Sequence, residues 1–211
     1  MKRVGVKAQV GYRSPQAPKG EVSIVSPSTL QRQFNTDDPA ERWVTDINHI
    51  RTHEGWLYLA VVVDLFSRKF IGWSMHSRIT KDIVLNALLM ALWRRNLQRQ
   101  VLVHSDQGSH YTSHEWQSFL KSHGLKWSMS RRGNCHDNVV PESFFQLLKL
   151  DWIKRKIYGT LEEARINILD YIEMFYNSKR RHGPSHQMSP IEYENQYYQP
   201  LGSIWITRGD S

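Results

Sequence analysis

The sequence of 211 residues predicts an α/β protein with a mixed five-stranded sheet flanked by helices, in the order βββαβαβαα. Two observations support this fold class. Three β-rich runs follow one another with only short breaks, which is typical of an antiparallel meander. After them, helical and strand patterns alternate, which is typical of crossover connections between parallel strands. The combination indicates a sheet with both kinds of pairing.

The first three strands are predicted at residues 42–51, 56–67 and 69–77, where the runs RWVTDINHIR, WLYLAVVVDLFS and KFIGWSMHS stand. Side chains alternate between the two faces of a strand. The first strand therefore places Asp46 on one face together with Val44, Asn48 and Ile50.

The helices and the last two strands follow from apolar periodicity. The spacing of Ile79, Ile83, Ala87, Met90 and Ala91 in steps of three or four predicts a helix over residues 79–95. The further predicted elements are a buried strand at 101–106, a short helix at 113–124, a strand at 126–130, and helices at 141–155 and 160–178, the last opened by a Thr160-x-x-Glu163 capping box.

Three regions are expected along the chain. Residues 1–40 are rich in proline and contain six Lys or Arg against three acids, so we expect a basic extended arm or linker. Residues 41–158 hold the sheet and form the expected core. Residues 159–211 are expected to form a C-terminal helix and a basic tail.

Composition limits the function classes. Hydrophobic residues make up 40% of the chain and charged residues 23%, values typical of a globular protein. The longest apolar run, residues 56–63, is too short for a membrane helix, and no signal peptide is recognisable, so a cytoplasmic protein is expected. A single cysteine, Cys135, excludes an intrachain disulfide.

The chain is strongly basic. It has 28 Lys and Arg against 20 Asp and Glu, a formal net charge of +8, and a pI near 9.6. This balance favours a polyanionic partner, with nucleic acid as the leading one. A charge excess that serves solubility alone is the alternative.

Three carboxylates are the candidate catalytic and metal-binding groups. Asp46 lies in mid-strand, where a carboxylate is costly unless a cation faces it, although a solvent-facing position is the alternative. Asp106 ends an apolar strand, where ligands of α/β sheets collect, although a turn aspartate is the alternative. Glu142 begins a helix that carries Lys149 two turns on, although the helix dipole alone favours an acid there.

The spacing and the local sequences of these motifs resemble those of a known family. Thirty-five residues separate Asp106 from Glu142, as in the D, D-35-E signature of transposases and retroviral integrases. The segments RWVTDI, HSDQGSHYTS, RRGNCHDNVVPESFFQLLK and YIEMFYNSKRRHGPSHQMSPIEY resemble the B-frame transposase of a family of bacterial insertion sequences. The resemblance extends over about residues 35 to 195.

The resemblance implies a ribonuclease H-like fold (βββαβαβα) and a function. Members cut and join DNA with two Mg²⁺ or Mn²⁺ ions per active site, so Asp46 is expected to bind both ions, and Asp106 and Glu142 one each. The implied partners are the insertion-sequence ends, target DNA and a second copy of the chain, at the bacterial nucleoid. Residues implied to support the site are His104, Ser105, Gly108, Tyr111 and Asn138.

Basic residues in the matching motifs are candidates for DNA contact. Lys149 is implied to lie near the transferred DNA end. Arg131 and Arg132 are candidates for phosphate or target DNA, with a solvated turn as the alternative. Lys179, Arg180 and Arg181 form a cationic run for which phosphate contact is expected, with a solvated helix end as the alternative.

The chain also departs from the family pattern. Asn48 and His49 stand where Thr-Tyr is usual, Gln107 where Arg is common, and Pro141 where a small residue is common. Residues 1–40 lack the periodicity of the family's N-terminal helix-turn-helix, so we expect a truncated copy. The alternatives to a transposase are therefore a non-catalytic DNA-binding relic or inhibitor of the intact enzyme, and a structure-selective nuclease of the same fold.

Overall fold

A mixed five-stranded sheet forms the centre of the protein in the computed structural model, which describes residues 36–97, 99–130 and 157–203. The strands are β1 (Arg42–Thr52), β2 (Gly55–Asp64), β3 (Phe70–His76), β4 (Leu102–Ser105) and β5 (Lys126–Met129). Their order across the sheet is β3-β2-β1-β4-β5. The β1–β2 and β2–β3 pairs are antiparallel, whereas the β1–β4 and β4–β5 pairs are parallel. The predicted mixed sheet is confirmed.

A tight turn fixes the register of β1 against β2. Gly55 has a φ of +134°, which side chains other than glycine rarely adopt. The hydroxyl of Thr52 donates a hydrogen bond to the carbonyl of Gly55 at 2.9 Å. In the resulting register Asp46 lies opposite Val61.

Helices cover both faces of the sheet. α1 (Lys81–Arg94) and α2 (His114–Ser122) pack on the face that contains Trp43, Val62 and Ile71. α1 approaches β3 so closely that a Cβ on Gly72 would lie 2.1 Å from the carbonyl oxygen of Ala87. Glycine is therefore required there for the sheet and helix to pack.

The opposite face is covered by a C-terminal helix. α3 (Leu161–Asp170) begins at Thr160, whose hydroxyl accepts a hydrogen bond from the Glu163 amide at 3.0 Å, as the predicted cap requires. It continues through a π-helical segment, Tyr171–Tyr176, into Asn177–Lys179. Its buried side chains pack on Val44, Ile50, Leu57, Leu59, Val61 and Val63.

The structure adds elements near the C-terminus that the sequence did not predict. The helix predicted at 141–155 lies outside the described residues. A short 3₁₀ turn, Gly183–Ser185, and a further helix, α4 (Pro190–Ser203), occupy the region that was predicted to be a basic tail. No helix within the three described ranges has the length and apolar character needed to span a bilayer.

A buried ion cluster attaches α4 to the rest of the protein. We define it as Asp64, Arg95 and Glu194, with Lys69 and Ser67 at its edge. The Arg95 guanidinium lies 3.2 Å from the Asp64 carboxylate and is hydrogen-bonded to Glu194. Glu194 also accepts from Lys69 at 2.8 Å and from Ser67 at 2.6 Å. The cluster thereby joins the end of β2, the end of α1 and the middle of α4.

The cluster predicts a pH-dependent stability. Burial raises the pKa of Asp64 from 3.8 to about 6, although Arg95 opposes this shift. A carboxyl whose pKa is raised by folding stabilises the protein fully below its unfolded pKa, and this stabilisation is lost as pH rises through about 6. We expect the difference in unfolding free energy between the protein and Asp64→Asn to fall by about 1.4 kcal/mol from pH 5 to pH 7. Urea unfolding of both proteins at both pH values measures this difference. An equal difference at pH 5 and at pH 7 would contradict the effect of burial on Asp64.

Candidate active site

Asp46 lies in the middle of β1 with one strand on each side. It is half-buried, on the same face as the buried Val44 and Ile50, as the alternation predicted. On one side β2 places Val61 opposite it. On the other side β1 runs parallel to β4 with Val44 opposite His104.

Asp106 directly follows the last residue of β4. Continuing the β1–β4 register by two residues from the Val44–His104 pair brings Asp106 beside Asp46. Neighbouring strands are about 4.8 Å apart, and paired residues of parallel strands point to the same face. The register therefore predicts neighbouring positions for these two carboxylates, and Asp106 is exposed to solvent.

A tight turn after β4 orients the Asp106 carboxylate. The amide of Gly108 donates a hydrogen bond to Asp106 Oδ1 at 2.8 Å. A Cβ on Gly108 would lie 2.9 Å from that same oxygen, so a larger residue would displace the carboxylate. The Gly108 carbonyl accepts hydrogen bonds from the amides of Tyr111 and Thr112 at 3.0 and 3.2 Å. The turn is thus held by the Asp106 side chain on one side of Gly108 and by backbone hydrogen bonds on the other.

A buried tyrosine hydroxyl contacts β1 beside the position of Asp46. The hydroxyl oxygens of Tyr111 and Thr45 are 3.2 Å apart. Burial raises the pKa of Tyr111 well above its usual value, and the negative charges of Asp46 and Asp106 raise it further. The phenol therefore keeps its proton at neutral pH, and either hydroxyl of the pair can donate to the other.

A buried histidine holds the end of β4 against β5. The His104 imidazole lies 3.2 Å from the Ser128 hydroxyl and 3.3 Å from the Ser130 hydroxyl, one at each ring nitrogen. The Ser130 amide donates to the carbonyl of Ser105 at 3.1 Å. The predicted support residues His104 and Ser105 thus fix the backbone immediately before Asp106.

Two further residues near the carboxylates were not singled out as site residues from the sequence. His110 is half-buried, and burial lowers its pKa, with His49 acting in the same direction and Asp106 against it. Asn48 is completely buried two residues after Asp46 on the same face. Within the part of the chain that the structure describes, neither its Oδ1 nor its Nδ2 makes a hydrogen bond.

These residues fit a hard divalent cation. Mg²⁺ prefers carboxylate, carboxamide and water oxygens, and Asp46, Asn48 and Asp106 supply two carboxylates and one carboxamide on neighbouring segments. A buried carboxamide without a partner costs free energy, which a bound ion or its water would recover. In residues 36–97, 99–130 and 157–203 no group of three His, Cys, Asp or Glu could hold a metal. The expected third carboxylate, Glu142, lies outside these ranges.

The predicted DNA-contacting residues have different surroundings. Lys179 and Arg181 are exposed. Arg180 donates a hydrogen bond to the Tyr171 hydroxyl at 3.0 Å, and its guanidinium lies 5.6 Å from the centre of the Tyr176 ring. Arg180 therefore attaches the cationic run of residues 179–181 to the core. Arg131, Arg132 and Lys149 lie outside the described residues.

Two family models, each described as "Integrase core domain", match the chain. The first covers residues 36–135 and the second covers residues 142–198. Asp46 and Asp106 lie in the first match, and Glu142 is the first residue of the second.

Bacterial transposases are close relatives in sequence. Transposase InsF for insertion sequence IS3A of Escherichia coli (strain K12) is 43% identical over 197 residues, which cover 93% of this chain and 68% of that protein. Putative transposase InsK for insertion sequence element IS150 of the same strain is 38% identical over 200 residues, 95% of this chain and 70% of that protein.

Retroviral proteins share the fold at low sequence identity. A chain of the simian T-cell lymphotropic virus intasome is matched with a TM-score of 0.60 at 18% identity, over 82% of this chain and 60% of that one. The catalytic core domain of BIV integrase is matched with a TM-score of 0.52 at 20% identity, over 76% of this chain and 99% of that one. These likenesses show the fold alone, and it is the predicted ribonuclease H-like fold.

Proposed function

Because the chain belongs to the integrase core domain family of bacterial insertion-sequence transposases, we propose that it cuts and joins DNA strands at insertion-sequence ends. The observation that carries this proposal is that Asp106 directly follows β4, which runs parallel to the strand of Asp46, so that the continued register would place the two carboxylates side by side. Two carboxylates at one edge of a sheet are suited to hold the divalent ions that phosphoryl transfer requires.

The proposed cofactor is Mg²⁺, or Mn²⁺, with two ions per active site. Asp46 would bind both ions, and Asp106 and Glu142 one each. When bound, the ions supply activation of the attacking oxygen and charge stabilisation of the leaving oxygen of a phosphodiester. The chain's own contribution is to hold the carboxylates in place, through the Gly108 amide for Asp106 and the β1 backbone for Asp46.

The proposed substrates are the insertion-sequence ends and target DNA in the bacterial cytoplasm, at the nucleoid. Cations that meet phosphates position DNA without reading its sequence. Lys179 and Arg181, which are exposed, would contact phosphate, while Arg180 orients the run through Tyr171 and Tyr176. Lys149, Arg131 and Arg132 are proposed to contact DNA near the reacting strands. Joining two ends requires two cores, so a homo-oligomer is proposed.

A calorimetric Mn²⁺ titration tests the metal site without knowledge of the DNA ends. We expect the protein to bind Mn²⁺ and Asp106→Asn to bind it at least about 10-fold more weakly, since a ligand is lost. Asp82→Asn is the matched control, because Asp82 is an exposed acid in the first turn of α1. Equal binding by all three proteins would reject the catalytic site and favour a DNA-binding relic. Binding followed by hydrolysis without strand joining would indicate a nuclease.

A further inference from the structure

A pair of hydroxyls joins the two segments that carry the candidate metal ligands. Thr45 precedes Asp46 on β1, and Tyr111 ends the turn that begins at Asp106. Their hydroxyl oxygens are 3.2 Å apart, and both residues are almost completely buried. This contact crosses from the strand of one carboxylate to the loop of the other.

The Tyr111 ring is held so that its hydroxyl has little freedom. The ring packs edge-on against Trp116, with 5.1 Å between ring centres. Trp116 is itself buried at the start of α2, where its amide donates to the Ser113 hydroxyl at 3.2 Å. The Tyr111 amide donates to the Gly108 carbonyl at 3.0 Å. Backbone, ring and hydroxyl are therefore fixed independently.

The Thr45 and Tyr111 hydroxyls both stay protonated, which keeps the bond between them in place. Each hydroxyl has one proton, and the bond between Thr45 and Tyr111 uses one of the two. Burial and the negative charges of Asp46 and Asp106 raise the pKa of Tyr111, so its hydroxyl stays neutral and the bond to Thr45 persists at neutral pH.

We propose that the Thr45–Tyr111 hydroxyl pair is a positioning element that holds the Asp106 loop against β1 and thereby sets the site's affinity for divalent cations. This inference rests on the proposed function, because it concerns the same metal-binding carboxylates. Neither Thr45 nor Tyr111 is proposed to contact the ion. They act through the carboxylates, as outer groups around metal ligands commonly do.

Removal of the Tyr111 hydroxyl alone tests the inference. Tyr111→Phe keeps the ring against Trp116, and we expect it to weaken Mn²⁺ binding by about 10- to 100-fold in a calorimetric titration. Tyr158→Phe is the matched control, because Tyr158 is also a buried tyrosine, and its hydroxyl donates to Asn167 at 2.9 Å. The control is expected to bind Mn²⁺ as the unsubstituted protein does.

Substitutions at Thr45 separate positioning from packing. Thr45→Val keeps the shape and removes the hydroxyl, so it is expected to weaken Mn²⁺ binding as Tyr111→Phe does. Thr45→Ser keeps the hydroxyl and is expected to bind Mn²⁺ with most of the affinity of the unsubstituted protein. The double variant Tyr111→Phe, Thr45→Val is expected to be no weaker than either single variant, because both remove the same bond.

The outcomes distinguish the inference from the function on which it rests. Mn²⁺ binding by the unsubstituted protein that neither Tyr111→Phe nor Thr45→Val weakens would overturn the positioning role. A lower melting temperature with unchanged Mn²⁺ affinity would assign the pair to packing alone and would overturn it equally. Absence of Mn²⁺ binding by the unsubstituted protein would reject the proposed function itself, and the inference with it.

Discussion

Asp46→Asn is expected to lower the rate of DNA cutting and joining by about 10³-fold or more. Metal ions stabilise the charge of a phosphoryl-transfer transition state by several kcal/mol, and about 4 kcal/mol corresponds to a factor of about 10³. Asp46 is proposed to bind both ions, so loss of its carboxylate is expected to have the largest effect of any single substitution. The measurement is a strand-joining assay with insertion-sequence-end DNA and Mg²⁺.

The same substitution is not expected to destabilise the protein. Asparagine has the size of aspartate and keeps one acceptor oxygen, so the packing around β1 is preserved. The melting temperature without metal should therefore change little. Asp82→Asn, an equally isosteric change at an exposed acid, should retain activity. The proposed role would be contradicted if Asp46→Asn still joined DNA strands. It would equally be contradicted if this variant lost joining only because it no longer folded.

A second variant separates charge from geometry at the same position. Asp46→Glu keeps the carboxylate but moves it by one methylene from a strand that is fixed on both sides by β2 and β4. Misplacement of about 1 Å can cost about 10²-fold in rate. We expect Asp46→Glu to retain Mn²⁺ binding better than Asp46→Asn while joining remains strongly impaired.

The carboxylate positions could be predicted from sequence because they depend on local rules. Period-two alternation places Asp46 on the face of Val44 and Ile50, and the apolar run before Asp106 predicts a buried parallel strand. Both predictions agree with the structure. The Thr45–Tyr111 contact could not be predicted in this way, because it depends on how a loop of five residues folds back across a strand edge.

Features that depend on distant partners were harder to predict. Nothing in the local pattern shows that Asp64, Arg95 and Glu194 meet, since they lie on three separate elements. α4 was missed because its sequence, PIEYENQYYQPLGS, contains many polar and aromatic residues and no clear apolar stripe. Arg180 was grouped with its charged neighbours, whereas its contacts with the Tyr171 hydroxyl and the Tyr176 ring are visible only in three dimensions.

Arg95→Met is expected to destabilise the protein by about 3–5 kcal/mol. The substitution leaves the carboxylates of Asp64 and Glu194 buried without the cation between them, and removal of one member from a buried ionic group has costs of this size. The exposed fractions of the three side chains are 0%, 5% and 11% for Asp64, Glu194 and Arg95, so water cannot replace the guanidinium readily. Urea unfolding at pH 7 measures the loss.

Controls show whether the effect comes from the buried charges. Arg165→Met removes an exposed pair with Glu162 at 3.5 Å and is expected to cost less than about 1 kcal/mol. Neutralising the three central members of the cluster, with Asp64→Asn and Glu194→Gln added to Arg95→Met, should recover most of the lost stability. Arg95→Met should also release α4 locally, so trypsin should cleave faster after Arg180 and Arg181. A loss as small as that of Arg165→Met would mean that the cluster does not hold α4 to the core.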